Sequence, residues 1–229
     1  MATADNHLFR LLPRQDRLRL RAICEPVQLV LSKVLNEPGR PTPYVYLPVD
    51  SFISLLTVVD DGPALEVGMV GREGIVGIHL ILGVKTAPHR ALVQGAGNAW
   101  RIRTPAFVAE LAQSPSLQRV LSRYLYVLMR QLGTSAGCLR FHRIGPRLAR
   151  WLLMTHDRAH ADTFQVTQEV LAYMLGVRRE GITSSASAMQ RTGLIEYRRG
   201  NLTVLDRSGL EKAACGCYAK DRAAYGARL

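Results

Sequence analysis

The spacing of apolar residues along the chain changes twice, and each change marks a different kind of element. Between residues 5 and 23, Leu8, Leu11, Leu12, Leu18, Leu20 and Ile23 recur among arginines at helical spacing, which predicts one or two short amphipathic helices. From about 27 to 104 the pattern becomes short apolar runs. Val27–Leu31, Tyr44–Leu47, Phe52–Val59, Leu65–Val70 and Ala91–Val93 with Ala99–Ile102 read as strands. Asn36-Glu-Pro-Gly39, Asp60-Asp-Gly-Pro63, Gly71-Arg-Glu-Gly74 and Gly95-Ala-Gly97 punctuate them. Many short strands so closely spaced predict a β-barrel or jelly roll.

Helical spacing then returns. Thr104-Pro105 and Ser114-Pro115 both read as a cap followed by a first-turn proline. The first helix is short, ending near Leu111; the second runs from about 115 to 141. In it Leu117, Leu121, Tyr124, Leu128, Gln131 and Ser135 recur at three and four residues, with Leu125 and Leu132 beside them. Such a seam is broad enough to face its own barrel and a second copy of itself. Ile144–Met154 is a further helix, with Leu148, Trp151, Leu152 and Leu153 inward and Arg147 and Arg150 on its more polar side. His156 and His160 follow in a polar stretch with Asp157, Arg158 and Asp162, which reads as a solvated linker rather than a metal site.

Thr167–Gln190 predicts two short helices around a tight turn. The Thr167 hydroxyl can cap the first, Glu169 suits the positive end of its dipole, and Val170, Leu171 and Met174 form its apolar stripe. Gly176 stands where a helix ends in a left-handed residue. The second helix, about 178 to 191, buries Ile182, Ala186 and Met189 and turns Arg179, Glu180, Thr183, Ser184 and Ser187 outward. Two crossed helices with a glycine turn and a polar second helix make a helix-turn-helix. Gly193–Asp206 reads as a β-hairpin turning at Arg199-Gly-Asn201, with Ile195, Tyr197, Leu202 and Val204 alternating; a hairpin there makes the winged form. Asp206 opens a last helix.

Composition narrows the function classes. The 229 residues suit one large or two modest domains, and 48% hydrophobic against 21% charged residues excludes disorder. The net charge is +12. It is uneven: residues 1–105 hold 12 basic and 9 acidic side chains, residues 106–229 hold 18 and 9. A basic carboxyl half points to a polyanion, nucleic acid first. With no apolar run of membrane-spanning length and no charged-then-apolar signal segment, a cytoplasmic protein without a membrane partner is expected. Cys24, Cys138, Cys215 and Cys217 are too few and scattered for a disulfide framework, and their spacing matches no structural zinc motif; Cys215-Gly-Cys217 is the only close pair. No paired acids, activated nucleophile or metal cluster stands at a recognisable spacing, so no enzyme, metal or cofactor is expected. The arginines of residues 14–21 read as a solvated helix face.

Taken in order, barrel, long helix and winged helix-turn-helix resemble a Crp/Fnr-type transcription regulator over nearly the whole length. The likeness is strongest in Arg147–Asp157, Thr167–Arg191 and Gly193–Asp206, and weaker in Tyr46-Leu-Pro48 with Val70-Gly-Arg-Glu-Gly74. The resemblance implies an α+β chain: a cyclic-nucleotide-binding-like barrel over 1–113, a dimerisation helix over 114–143 and a winged helix-turn-helix over 144–229. It implies a homodimer that binds double-stranded DNA, with RNA polymerase as a further candidate partner. Its base-reading positions fall on Arg179, Glu180 and Ser184. Arginine can pair with guanine and glutamate can accept from cytosine, whereas Ser184 replaces a common arginine and changes the base preferred there. Thr167, Gln168, Arg178, Arg198 and Arg199 are the candidate backbone contacts. In the barrel, the nearest equivalents of a cyclic-nucleotide pocket are Gly71, Glu73, Gly74 and Arg90, although Arg90 is followed by alanine where the family's phosphate grip has a hydroxyl residue. Cys24 alone cannot hold an iron–sulfur cluster, and His7, His79 and His89 have no distinctive haem-ligand spacing. The effector is therefore unassigned. A small-molecule receptor whose barrel controls the DNA domain stands as the alternative reading.

Overall fold

The computed structural model describes residues 5–58, 62 and 64–228. Val59 of the third expected strand and Asp60, Asp61 and Pro63 of the turn after it lie outside the described residues. In chain order the elements are α1 (His7–Arg10), α2 (Arg14–Ala22), β1 (Glu25–Leu29), β2 (Val34–Asn36), β3 (Tyr44–Pro48), β4 (Phe52–Val58) and β5 (Ala64–Val70). A 3-10 helix (Ile78–Leu82), β6 (Arg90–Gly95), β7 (Gly97–Arg103), α3 (Thr104–Gln113), α4 (Pro115–Phe141) and α5 (Ile144–Ala159) follow. The last part comprises β8 (Thr163–Gln165), α6 (Gln168–Leu175), α7 (Arg179–Arg191), β9 (Ile195–Arg198), β10 (Asn201–Val204), α8 (Arg207–Ala213) and α9 (Cys217–Arg228).

These elements divide into two compact units. One takes the chain up to Leu55, then Gly68–Met129 and the tail from Ala224; the other takes Leu56–Val67 and Arg130–Ala223. The first is the predicted β domain, but its sheets do not close into a barrel. One sheet has the order β1-β7-β3 and the other β2-β6-β4-β5, a jelly-roll-like arrangement. β7 pairs antiparallel on both sides, placing Trp100 opposite Pro26 on one strand and Leu47 on the other. Buried Leu29, Leu47, Ile53, Met69, Val93 and Ile102 fill this unit. Fully buried Asn6 fixes its entry: the amide oxygen caps α1 at the Leu8 N–H (3.0 Å), and the amide nitrogen donates to the Pro48 and Gly74 carbonyls at 2.9 and 2.8 Å. The arginines of α2 lie on the surface in part engaged with acids. Arg19 reaches Asp16 and Glu110, while Arg21 pairs with Asp5 and stacks over Phe9 and Trp100.

In the second unit Leu148, Leu152 and Leu153 of α5 share a core with Leu171 of α6, Ile182 of α7, Leu202 of β10 and Leu210 of α8. The wing is a three-stranded sheet, β8-β10-β9. Asp206 caps α8 by accepting the Gly209 N–H at 2.8 Å.

Four expectations need correction. The stretch holding His156 is no linker, because α5 continues to Ala159 and β8 joins the wing. His156 instead bonds Asp162 at 2.8 Å and the Arg207 guanidinium at 2.6 Å, while His160 is the left-handed residue that ends α5. Arg147 and Arg150 are not on a polar side; both are buried and hydrogen-bonded by residues from elsewhere in the fold. Arg150 pairs with Asp221 at 2.7 Å and donates to the Ser135 hydroxyl at 3.1 Å. Third, the six seam residues of α4 are all buried within the chain, so its outward apolar positions are others, notably Tyr126 and Met129. Finally, Thr104 does not cap α3. The helix includes it, and its hydroxyl donates to the Thr42 carbonyl at 2.5 Å. The sequence reading also missed β2, β8, the 3-10 helix and α9.

Candidate nucleic-acid interface

Local chemistry positions the helix-turn-helix. The Thr167 hydroxyl accepts the Val170 N–H at 3.2 Å and starts α6, as its position ahead of an apolar stripe predicts. Gly176 ends α6 with φ +59° and ψ +45°, a left-handed residue that a side chain would strain. The Val177 N–H then returns to the Ala172 carbonyl at 3.0 Å, closing the turn. A buried fastening absent from the sequence reading comes from α5, where the Arg147 guanidinium donates to the Leu175 carbonyl. A cation on the last carbonyls of a helix also suits the negative end of its dipole. At the start of α7, a Cβ on Gly181 would lie 2.5 Å from Ile144 Cδ1, so glycine lets α7 close on α5.

That packing buries Ile182, Ala186 and Met189 and leaves Arg178, Arg179, Glu180, Thr183 and Ser184 exposed. The three residues expected to read bases, Arg179, Glu180 and Ser184, thus share the outward face of α7. Two contacts from α6 hold this face in place. Glu169 takes the Arg179 guanidinium at 3.2 Å, and Gln168 accepts from the Thr183 hydroxyl at 2.6 Å. The outward residues of the two helices are therefore engaged with one another. Gln168 has a positioning contact that capping arguments alone do not reveal.

The wing follows α7 and packs against it. Gln190 Oε1 accepts the Tyr197 N–H at 2.8 Å, joining the end of α7 to β9. The Tyr197 hydroxyl donates to the Val166 carbonyl at 2.8 Å, and burial pushes this phenol above its ordinary range, keeping it a donor. Arg198 faces Asn201 across the hairpin, and Arg199 and Gly200 form the two-residue turn with φ +51° and +80°. Positive φ at both positions is the turn that matches strand twist. Arg198 and Arg199 are both exposed.

The other candidate residues lie in the first unit. Glu73 turns back onto its own loop and accepts the Gly71 N–H at 3.0 Å. Gly74 backs onto the Tyr124 ring, where a Cβ would collide. The Arg90 guanidinium pairs with Glu37 at 2.9 Å. Glu73 and Arg90 are thus each engaged locally.

Residues 146–213 match the family model of the Crp-like helix-turn-helix domain. No curated protein matches the chain by sequence. Among solved structures, the chain is similar to a candidate Crp/Fnr-family regulator of Eubacterium rectale at 15% identity and TM-score 0.70, over 90% of this chain and 96% of the other. It is similar to FixK2 of Bradyrhizobium japonicum at 14% identity and TM-score 0.71, over 84% and 98%. The c-di-GMP-responsive global regulator CLP of Xanthomonas campestris follows at 18% and 0.68, over 85% and 100%. At such identities the likeness carries the fold, while the domain match carries the DNA-binding module. Together they give the chain a fold like that of Crp/Fnr-family structures, with a Crp-like helix-turn-helix domain over residues 146–213. Among the described residues no helix is long and apolar enough to cross a membrane.

Proposed function

We propose that the chain regulates transcription in the cytoplasm as a homodimer that lays α7 of each protomer in the major groove, with half-sites about one helical turn apart. The observation that carries this reading is the exposed face of α7, where Arg179, Glu180 and Ser184 stand together beside an arginine-tipped wing. Arg179 reads guanine and Glu180 accepts from cytosine. Thr167, Gln168, Arg178, Arg198 and Arg199 contact phosphates. In this reading residues 1–113 are the sensor, 114–143 the dimer helix and 144–229 the reader, with RNA polymerase as the partner that receives the output.

The dimer has its own support on α4. Tyr126 and Met129 are 47% and 61% exposed, and the same face continues through small Gly133 and Ala136. A second α4 would bury this stripe. Genome-wide mapping of bound DNA tests the whole reading: the expected result is a two-fold symmetric motif. A set of bound sites with only a single, asymmetric half-site would overturn the dimer.

A further inference from the structure

Cys215-Gly-Cys217 had no partners in the sequence, and the second unit supplies two. Cys138 lies in the last turn of α4. His142 follows the helix, and its backbone N–H still bonds the Cys138 carbonyl at 3.1 Å, so the two side chains leave one face a turn apart. The junction between α8 and α9 brings up the others. The Cys215 N–H reaches the Pro146 carbonyl at 3.4 Å, and Cys217 begins α9. Cys138 Sγ and Cys215 Sγ are 3.5 Å apart, and Cys217 Sγ lies 3.6 Å from His142 Nδ1. All four ligand atoms fall within 4.8 Å of one another. The cysteines are buried free thiols, and His142 closes the rim from the exposed side.

Three buried cysteines alone make an ordinary small-residue core. An imidazole nitrogen turned into the same cluster does not belong to such a core, and the spacing is that of a coordination sphere. Zn–S bonds of about 2.3 Å and a Zn–N bond of about 2.0–2.1 Å, set tetrahedrally, need S–S edges of about 3.8 Å and S–N edges of about 3.6 Å. An iron–sulfur cluster spreads its four ligands over two or four irons, and so needs some of them wider apart than one ion does. Charge also fits. Three thiolates and one zinc leave a single negative charge, and buried Arg147 and Arg150 of α5 both interact electrostatically with Cys138. We propose that Cys138, His142, Cys215 and Cys217 bind one zinc ion, which fastens the end of α4 to the α8–α9 junction. This site is independent of how the chain reads DNA.

The test uses the untagged full-length chain, purified under reducing conditions. Elemental analysis is expected to find one zinc per chain. Cobalt(II) taken up after zinc removal is expected to show thiolate charge-transfer and tetrahedral ligand-field absorption. His142→Ala, on the exposed rim, and Cys217→Ser are expected to weaken zinc binding by more than the roughly 10–100-fold of a second-sphere change. Cys24→Ser should leave it untouched. If Cys138→Ser fails to fold, His142→Ala alone decides. The proposal is overturned by a folded chain that carries no zinc and takes up neither zinc nor cobalt, by iron with stoichiometric sulfide, or by His142→Ala holding zinc at full affinity.

Discussion

Arg179 opens α7 paired with Glu169 at 3.2 Å, both side chains well exposed. An exposed pair of this kind contributes only about 0–1 kcal/mol, so the guanidinium is easily given up to a base. Arg179→Ala should therefore leave stability nearly unchanged and cost roughly 1–3 kcal/mol at one base pair of the site. Anisotropy titrations against every single-base site variant would show discrimination lost at one position; an unchanged ranking would take Arg179 off the reading face. His79 shows a different residue-level effect. Its Nε2 lies 2.8 Å from the Thr42 hydroxyl, and burial first, then His89, hold its pKa below the ordinary value. The unfolded chain thus takes up this proton at higher pH than the folded one. The stability it contributes is complete above about pH 6.5 and is lost as pH falls through the lower folded value. Thermal melts should lose stability more steeply on acidification below that pH in the wild type than in His79→Gln; parallel curves would remove His79 from the account. Base-reading candidates were legible because an amphipathic helix shows its outward face in sequence. Arg147 and Arg150 were not, because a buried arginine is recognisable only once Leu175, Asp221 and Ser135 have come from elsewhere in the fold.

Elements with local stop and start signals were the legible ones. Thr167 and Gly176 delimit α6, and Arg199-Gly200 turns the wing, through interactions within a few residues. β8 is different, being three residues without an apolar alternation of its own, and exists through pairing with β10. The metal cluster is hidden for a related reason, since its halves come from the end of α4 and the start of α9. The wing carries a conflict between stability and use. Arg199 holds φ +51°, a conformation that costs a side-chain residue about 1–2 kcal/mol and that asparagine tolerates better. Arg199→Asn should raise the melting temperature while weakening binding to every DNA sequence alike, with the salt dependence shallower by about one counterion. Higher stability with an unaltered salt slope would mean that the wing tip does not touch phosphate.

For the whole molecule, the charge distribution and α4 bear on the same question. The basic surplus lies mostly beyond residue 105, the half that holds the reader, so even one protomer should bind DNA weakly and without sequence preference. In the proposed dimer, tight and selective binding comes from joining two readers. Along α4, the sequence pattern marked out the buried seam, whereas the outward stripe of Tyr126, Met129, Gly133 and Ala136 emerges only after the chain's own packing is known. A two-fold pairing of α4 helices through this stripe would bury Met129 in the contact. Met129→Glu would put a charge from each protomer into that contact at no cost to the chain's own core, because the side chain is 61% exposed. Sedimentation should then give a folded monomer, and affinity for a full two-fold site should fall about 100-fold or more, toward that for a half-site, as the second reader loses its effective concentration. Half-site binding itself should not change, which separates lost pairing from a damaged reader. A variant that still sediments as a dimer at full affinity would move the dimer contact away from this stripe.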